Sequence, residues 1–385
     1  MGTTLVLGGG FGGISAATEL KRLLGKEHEV VLVDRAERFS MGLRKLWELV
    51  GHATIAEGSR SREALAAHGV RVVRGEIESI DPSEREAVVD GVTLGGDYLV
   101  IALGAVSRGD LVPGLVEHGH DIWTTSGIPG AAQALRELEE GRVVVLVAGA
   151  PYPCPPAPFE CAFHVDEHLR ARGLRDRVEI DVVTVQPILM PNAGPEGSAW
   201  MAAKLAERGI SQRAAVKLSH VEAGRVVLED GEIPFDLLLA VPPHRVPHVV
   251  AASGLTGEHG WIAVDRGTLA TSYANVYAVG DVTLIPLANG LPLPKAGVTA
   301  ELEGLRVARA IAADVRGEPE PEPFAGIATC FVEMGQEVAA RIDAEFFAEP
   351  GPRIEIAAPS PALAAEKRAF ERERLARWFG DYPVE

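Results

Sequence analysis

The segment TTLVLGGGFGGISAATELKRLLGKEHEVVLVDR, Thr3 to Arg35, carries the pattern of a strand, a turn, a helix and a second strand. Leu5 to Leu7 form a short apolar run, and Ile14 to Leu24 place apolar residues at helical spacing. Val30 to Val33 are largely β-branched, as is typical of a buried strand. The segment therefore predicts a βαβ unit at the start of an α/β fold.

The turn of this unit contains G-x-G-x-x-G at Gly8, Gly10 and Gly13, and the second strand ends at Asp34, 21 residues after Gly13. In dinucleotide sites these glycines allow a tight turn, close phosphate approach and helix–strand packing, while the acid binds a ribose hydroxyl. The alternative is a tight turn followed by a surface acid. From this motif we predict that the following residues bind a dinucleotide: Gly8, Gly10, Phe11, Gly12, Gly13, Asp34 and Arg35.

Composition excludes several functional classes. The net charge of −17 argues against nucleic-acid binding, which requires cations to neutralise phosphates. No apolar run reaches the roughly 18 residues of a membrane span, and no basic leader precedes the first strand, so we expect a cytoplasmic protein. No histidine cluster has metal-like spacing, and we expect no metal site. Three cysteines are too few for a disulfide framework.

Three later segments resemble flavoproteins built from two dinucleotide-binding folds: YLVIALGA, Tyr98 to Ala105; NVYAVGDVT, Asn275 to Thr283; and PLPKAG, Pro292 to Gly297. The resemblance implies FAD, with a helix N-terminus after Gly297 facing the flavin. For Lys295 the alternative is a solvated lysine at a helix start. The resemblance adds these residues to the FAD site: Lys45, Ile77, Ala102, Gly104, Gly280, Asp281, Lys295, Ala296 and Gly297.

A second βαβ pattern lacks its nucleotide fingerprint. RVVVLVAG, Arg142 to Gly149, is a strand, and a helix and another strand follow. If Gly149 is the first glycine of the motif, Pro151 and Cys154 occupy the positions of the other two. Proline has no N–H to offer a phosphate, and the second strand ends without an acid or arginine at Gln186. We therefore expect weak NAD(P)H binding there.

Cys154 precedes the predicted helix, whose dipole is expected to favour its thiolate. CPPAPFE, Cys154 to Glu160, resembles a redox-cysteine segment of sulfide:quinone oxidoreductases and of the flavocytochrome c sulfide dehydrogenase flavoprotein. The resemblance implies a partner cysteine at Cys330 and an acid–base role for Glu160. A core cysteine is the alternative for Cys330, and a Cys154–Cys161 bridge is the alternative pairing.

The expected fold is α/β with two Rossmann-like folds, glutathione-reductase-like, plus a small C-terminal α+β region. We expect an FAD-binding domain at residues 1–105 and 251–316. A degenerate second fold is expected at 106–250, and a C-terminal interface region at 317–385. The last segment includes a basic helical stretch with Phe370 and Trp378, read either as an interfacial membrane helix or as a docking helix.

The resemblance implies an FAD-dependent oxidoreductase that oxidises sulfide or a related sulfur species through Cys154 and Cys330. Electrons would pass to a quinone or a cytochrome-type acceptor, with peripheral membrane contact and a homodimer among the arrangements it allows. A type II NADH:quinone dehydrogenase-like enzyme is the first alternative. A redox-regulated flavoprotein subunit of a larger complex is the second.

Overall fold

The computed structural model describes residues 2–335 and 337–380. Its first part alternates long buried strands with helices and short antiparallel strands. These elements are β1 (Gly2–Leu7), α1 (Phe11–Leu24), β2 (His28–Asp34), β3 (Arg38–Ser40), α2 (Arg44–Val50), β4 (Ser59–Ser61), β5 (Arg71–Arg74), β6 (Ile77–Asp81), β7 (Glu86–Val89), β8 (Val92–Gly95) and β9 (Tyr98–Ile101).

The middle part repeats this alternation around a second set of strands. Its elements are β10 (Val106–Ser107), α3 (Leu115–His118), β11 (His120–Asp121), α4 (Ile128–Glu137), β12 (Gly141–Val147), α5 (Ala157–Ala171), β13 (Val178–Thr184), α6 (Gly194–Glu207), β14 (Ser211–Arg213), β15 (Leu218–Glu222), β16 (Arg225–Leu228), β17 (Gly231–Pro234), β18 (Leu237–Val241), β19 (His244–Arg245) and α7 (His248–Ala251).

The last part returns to the first fold and then adds a small sheet and a long helix. Its elements are β20 (Ile262–Ala263), β21 (Val276–Ala278), β22 (Thr283–Leu284), α8 (Gly297–Arg316), β23 (Ile327–Glu333), β24 (Ala339–Glu345), β25 (Arg353–Ser360) and α9 (Pro361–Phe379).

Two parallel five-stranded sheets carry the two α/β folds, in the orders β21-β9-β1-β2-β5 and β11-β18-β12-β13-β14. The first sheet takes β21 from the last part of the chain, next to β9. Central strands of parallel sheets are covered on both faces, which explains their continuous apolar runs. In β12, Val143 to Val147 are fully buried. The predicted fold class is what the structure shows.

Helices α1 and α8 pack unusually close to each other beside the first sheet. A Cβ on Gly304 of α8 would lie 2.2 Å from the carbonyl oxygen of Gly12 in α1, so only glycine fits this contact. Both helices begin at the same edge of the sheet. This contact fixes the two helix N-termini relative to each other.

The C-terminal region consists of the antiparallel sheet β23-β24-β25 and helix α9. The apolar residues at the end of α9 pack inward: Leu375, Trp378 and Phe379 are 6%, 1% and 5% exposed. The end of α9 therefore packs onto the rest of the fold, as expected of a docking helix. Among the described residues, the structure contains no helix whose length and apolar character would suit a membrane crossing.

Candidate functional site

A cavity of about 490 Å³ runs from the glycine turn after β1 to the start of α5 and to β23. It lies at the carboxyl edge of the first sheet, where open α/β sheets bind ligands. Of the residues assigned above, those lining it are Gly10, Phe11, Gly12, Lys45, Ala102, Gly104, Cys154, Glu160, Gly280, Asp281, Ala296, Gly297 and Cys330. The fold therefore brings segments from the first, middle and last parts of the chain to one cavity.

The glycine turn has the shape of a phosphate cradle. A Cβ on Gly8 would lie 2.3 Å from the Ala102 carbonyl oxygen, and one on Gly13 would lie 1.9 Å from the Gly8 carbonyl oxygen. A Cβ on Gly10 would meet nothing within 4 Å, because this glycine faces the cavity. Closed packing at the first and third glycines and an open second glycine fit the approach of a dinucleotide pyrophosphate to the start of α1.

Asp34 closes the turn from the end of β2. Its carboxylate accepts hydrogen bonds from the N–H of Gly9 (2.7 Å) and of Ala36 (2.8 Å). Arg62, which sequence reasoning missed, also lies at the turn, lines the cavity and donates from Nε to the Gly9 carbonyl oxygen at 2.9 Å. No sequence pattern marks it, because it follows the short strand β4. Arg35 points outward and forms an exposed ion pair with Glu76 at 3.6 Å.

The N-terminus of α8 forms the opposite wall of the cavity, with Ala296 and Gly297 at its first turn. Lys295 is buried and does not stand at the surface as a solvated lysine. Its ammonium donates to the carbonyl oxygens of Asp281 (2.7 Å) and Thr283 (2.6 Å) and lies 3.7 Å from the Trp261 ring centroid. Lys295 therefore supports the loop that carries Asp281 into the cavity, and burial lowers the pKa of its ammonium to about 8.

Glu303 of α8 contacts the same loop, because its carboxylate accepts a hydrogen bond from the N–H of Gly280. Burial raises the pKa of this carboxyl to about 7, although the Gly280 N–H would lower it. A raised pKa means that the folded state retains the proton after the unfolded chain has released it. Folding stability is therefore expected to fall as pH rises between the two pKa values, and to level off above the folded one.

Substituting Glu303→Gln removes this titration while keeping an acceptor for Gly280. Relative to wild type, the variant is expected to gain stability as pH rises from about 5 to about 8, by at most about 3 kcal/mol at 1.36 kcal/mol per pKa unit. Chemical denaturation at several pH values measures the difference. Glu78→Gln, at an exposed position of β6, is the control and should show no such trend. Parallel pH profiles for wild type and Glu303→Gln would contradict the assignment.

Cys154 and Cys330 meet at the cavity, although 176 residues separate them in sequence. Both are free thiols, and their side chains lie close enough to share a hydrogen bond. Cys154 has a φ of 56°, a left-handed conformation that is uncommon for any residue except glycine. Its N–H donates to the carbonyl oxygen of Lys295 at 2.6 Å, which holds the loop in this conformation. The third cysteine, Cys161, is fully buried in the core of the second fold.

The expectation of a low pKa for Cys154 is wrong in this structure. The hydrogen bond to Cys330, together with burial, raises the pKa of the Cys154 thiol. The same hydrogen bond lowers the pKa of Cys330, against the effect of burial. Helix α5 begins only at Ala157, three residues beyond Cys154, so the helix dipole acts less strongly than the neighbouring sulfur. The more acidic thiol is therefore Cys330.

A buried ion network lies directly behind the two thiols. Glu160 accepts hydrogen bonds from Lys367 Nζ (2.6 Å) and from the backbone N–H of Glu333 (2.7 Å). Lys367 also donates to Glu333 Oε2 at 3.0 Å. Burial alone would lower the pKa of the Lys367 ammonium, but the two carboxylates raise it, so the ammonium stays charged. Sequence reasoning found Glu160 but missed Lys367, which lies in the charged tail helix.

The turn after β12 in the second fold differs from the glycine turn after β1, because Pro151 and Tyr152 follow Gly149 there. Tyr152 is buried, and its hydroxyl donates to the carbonyl oxygen of Pro155 at 3.0 Å. The Tyr152 hydroxyl also reaches the side chain of Gln186 at 3.4 Å, at the end of β13. These contacts occupy the turn where a second dinucleotide would need an open backbone.

Three other residues, Lys45, Ile77 and His244, lie in or near this part of the fold. Lys45 lines the cavity near the cysteines and donates to the Trp123 carbonyl oxygen, and burial lowers the pKa of its ammonium. Ile77, which was assigned to the FAD site, is the first residue of β6, lies in the core and does not line the cavity. His244 is buried against the cavity, and burial lowers its pKa to about 4.

Comparison with known proteins extends these observations. The family described as "Pyridine nucleotide-disulphide oxidoreductase" matches residues 2–304. The chain is 28% identical over 375 residues to the sulfide-quinone reductase of Aquifex aeolicus, covering 90% of this chain and 83% of that one. It is 25% identical over 365 residues to the mitochondrial sulfide:quinone oxidoreductase of Mus musculus, covering 90% and 78%. The crystal structure of the Aquifex aeolicus sulfide:quinone oxidoreductase superposes with a TM-score of 0.89 and 26% identity, covering 98% of this chain and 92% of that one.

Proposed function

Because this chain belongs to the pyridine nucleotide-disulphide oxidoreductase family, we propose that it is an FAD-dependent oxidoreductase that oxidises sulfide and reduces a quinone. The observation that carries the proposal is the contact between Cys154 and Cys330 in the cavity that begins at the glycine turn. The sulfide-quinone reductases among its relatives and structural neighbours support this substrate pair.

The residues present fit FAD. The turn around Gly10, the acid Asp34 and the N-termini of α1 and α8 provide the cradle, the ribose acceptor and the positive helix ends that such a cofactor requires. When bound, FAD supplies a two-electron acceptor between the sulfur pair and the quinone. Further residues assigned to FAD holding are Gly8, Phe11, Gly12, Gly13, Ala102, Gly104, Gly280, Asp281, Ala296 and Gly297.

Cys154 and Cys330 carry the sulfur chemistry. Oxidation of the two thiols to a disulfide releases two protons and two electrons. Hydrosulfide then attacks one sulfur of that disulfide, which forms a new S–S bond as a persulfide and releases the other cysteine as a thiolate. The Lys367 ammonium lowers the pKa of either cysteine and so stabilises the thiolate that leaves. Overall, HS⁻ loses two electrons and one proton to give zero-valent sulfur, and the quinone takes up the two electrons with that proton and one more from solvent.

Glu160 and Lys367 manage charge around these sulfurs. Lys367 stays protonated between Glu160 and Glu333, so its ammonium stabilises a thiolate formed nearby. Glu160 lies within the same cavity wall and accepts hydrogen bonds through Oε1, which leaves its other oxygen to receive a proton. In this proposal Lys367 balances the negative charge of the thiolate, and Glu160 takes up the proton.

The quinone has an apolar wall available. Phe11 of α1 and Phe370 of α9 line the cavity and stack with their centroids 6.4 Å apart. The proposal also includes three further points: contact between the protein and a membrane surface, a homodimer, and a cytochrome as an acceptor. The division into residues 1–105 and 251–316, 106–250 and 317–385 is proposed with it.

Anaerobic titration of the purified yellow protein tests the function. Sulfide is expected to bleach the flavin absorbance at one equivalent per FAD, and a short-chain quinone is expected to restore it. NADH should leave the absorbance unchanged over the same period, because Pro151 offers no N–H to a phosphate and Tyr152 is buried in the same turn. Rapid bleaching by NADH with no response to sulfide would indicate a type II NADH dehydrogenase-like enzyme. No response to either donor would favour a redox-regulated subunit.

A further inference from the structure

A second cavity, of about 570 Å³, opens on the other side of the buried ion network and contains His52, His164 and Glu167. One donor atom from each of these residues lies within 4.8 Å of the others. His164 and Glu167 are three residues apart on α5 and therefore share one helix face. His52 follows the end of α2, and its ring packs edge-on to that of His164, with centroids 5.8 Å apart.

The hydrogen bonds of His164 leave one ring nitrogen ready to act as a ligand. Its Nε2 lies 3.2 Å from Glu333 Oε2, a carboxylate oxygen that also accepts hydrogen bonds from Trp47 Nε1 and Lys367 Nζ. A carboxylate oxygen only accepts, so Nε2 carries the hydrogen and Nδ1 carries the lone pair of a neutral imidazole. His164 is 3% exposed, and Nδ1 is buried with no hydrogen-bond partner among the described residues.

We infer that His52, His164 and Glu167 form a binding site for a divalent cation of the zinc type. Two imidazoles and one carboxylate, with a fourth position open to solvent, are a ligand set that Zn²⁺ accepts. The Glu333 carboxylate would orient His164 through its second nitrogen, as outer-shell carboxylates do for histidine ligands. This inference does not depend on the proposed function, because it uses neither the thiols nor the FAD cavity.

Such an ion would join two parts of the chain. His52 belongs to the segment after α2, whereas His164 and Glu167 belong to α5 of the second fold. The expectation of no metal site was based on spacing in sequence, and these ligands come together only through packing of α2 against α5. A bound ion would therefore hold the two helices at a fixed distance.

Zinc binding by the full-length, FAD-loaded protein tests the inference. After treatment with a chelator, wild type is expected to bind one equivalent of Zn²⁺ in equilibrium dialysis, measured by elemental analysis, and to gain thermal stability with it. His52→Ala, at an exposed position, is expected to weaken this binding by at least about 100-fold, and Glu167→Gln to weaken it as well. His259→Ala removes an exposed histidine outside the cluster and should bind as wild type does.

The thiols are the competing ligands, and Cys330→Ser separates the two possibilities. Retained stoichiometric binding in Cys330→Ser, together with loss in His52→Ala, supports the histidine site. Equal binding by wild type and His52→Ala, binding lost only in Cys330→Ser, or no binding by wild type would each overturn the inference. Melting of His52→Ala without metal should match wild type, which shows that the variant is folded.

Discussion

Replacing Cys154 or Cys330 by serine is expected to abolish flavin bleaching by sulfide, lowering its rate by at least about a thousandfold, the scale seen when a covalent nucleophile is removed. Each variant retains one thiol, which cannot form the intramolecular disulfide that hydrosulfide attacks. The glycine turn, Asp34 and the start of α8 are unchanged, so the purified variants should remain yellow with full FAD content. Stopped-flow absorbance under anaerobic conditions measures the rate.

Cys161→Ala is the matched control, since Cys161 is fully buried in the core of the second fold, about one turn along α5 from its start. It removes a thiol of the same segment without touching the cavity and should keep sulfide-driven bleaching. If either Cys154→Ser or Cys330→Ser is bleached as fast as wild type, the sulfur pair is not the route of the electrons. If Cys161→Ala alone loses bleaching, the pairing assigned here is wrong.

Replacing Lys367 by methionine is expected to lower the free energy of unfolding by about 3–5 kcal/mol, the cost of breaking a buried ion pair from one side. Methionine has a similar length but no charge, so the Glu160 and Glu333 carboxylates would be left facing each other without their shared cation. One carboxyl should then take up a proton, and the loss should be smaller at acidic pH. Chemical denaturation at two pH values measures both effects.

Lys217→Met provides the comparison, because Lys217 is 74% exposed and its ion pair with Glu229 faces solvent. Surface substitutions of this kind typically change stability by less than about 0.5 kcal/mol. A Lys367→Met variant that loses no more than Lys217→Met would show that the buried network contributes little. Trp47 provides a second readout through its fluorescence, since its indole donates to Glu333 at 2.7 Å.

The fold and the cofactor cradle were predictable because their signals are local. The glycines, Asp34 and the strands around them lie within one βαβ unit, and the steric reasons for each glycine act over a few residues. The prediction of weak NAD(P)H binding by the second fold is based on equally local signals, since Pro151 and Gln186 stand at fixed positions of a repeated pattern.

The electrostatics of the site were not predictable in this way. The pKa of Cys154 depends on the sulfur of Cys330, which is 176 residues away in sequence. Lys367 is buried because α9 packs against the rest of the fold. Its sequence neighbours are mostly charged, so nothing local separates it from a solvated lysine. His244 and Arg62 are missed for the same reason: their burial comes from long-range packing that no periodicity records.

Lys295 connects the loop of Cys154 to the FAD-binding fold. Its carbonyl oxygen accepts a hydrogen bond from the Cys154 N–H, and its ammonium donates one to the carbonyl oxygen of Asp281. A hinge motion that moved the two folds apart would break these hydrogen bonds and separate the two sulfurs. The two sulfurs are therefore expected to stay in contact only while the two folds remain packed against each other.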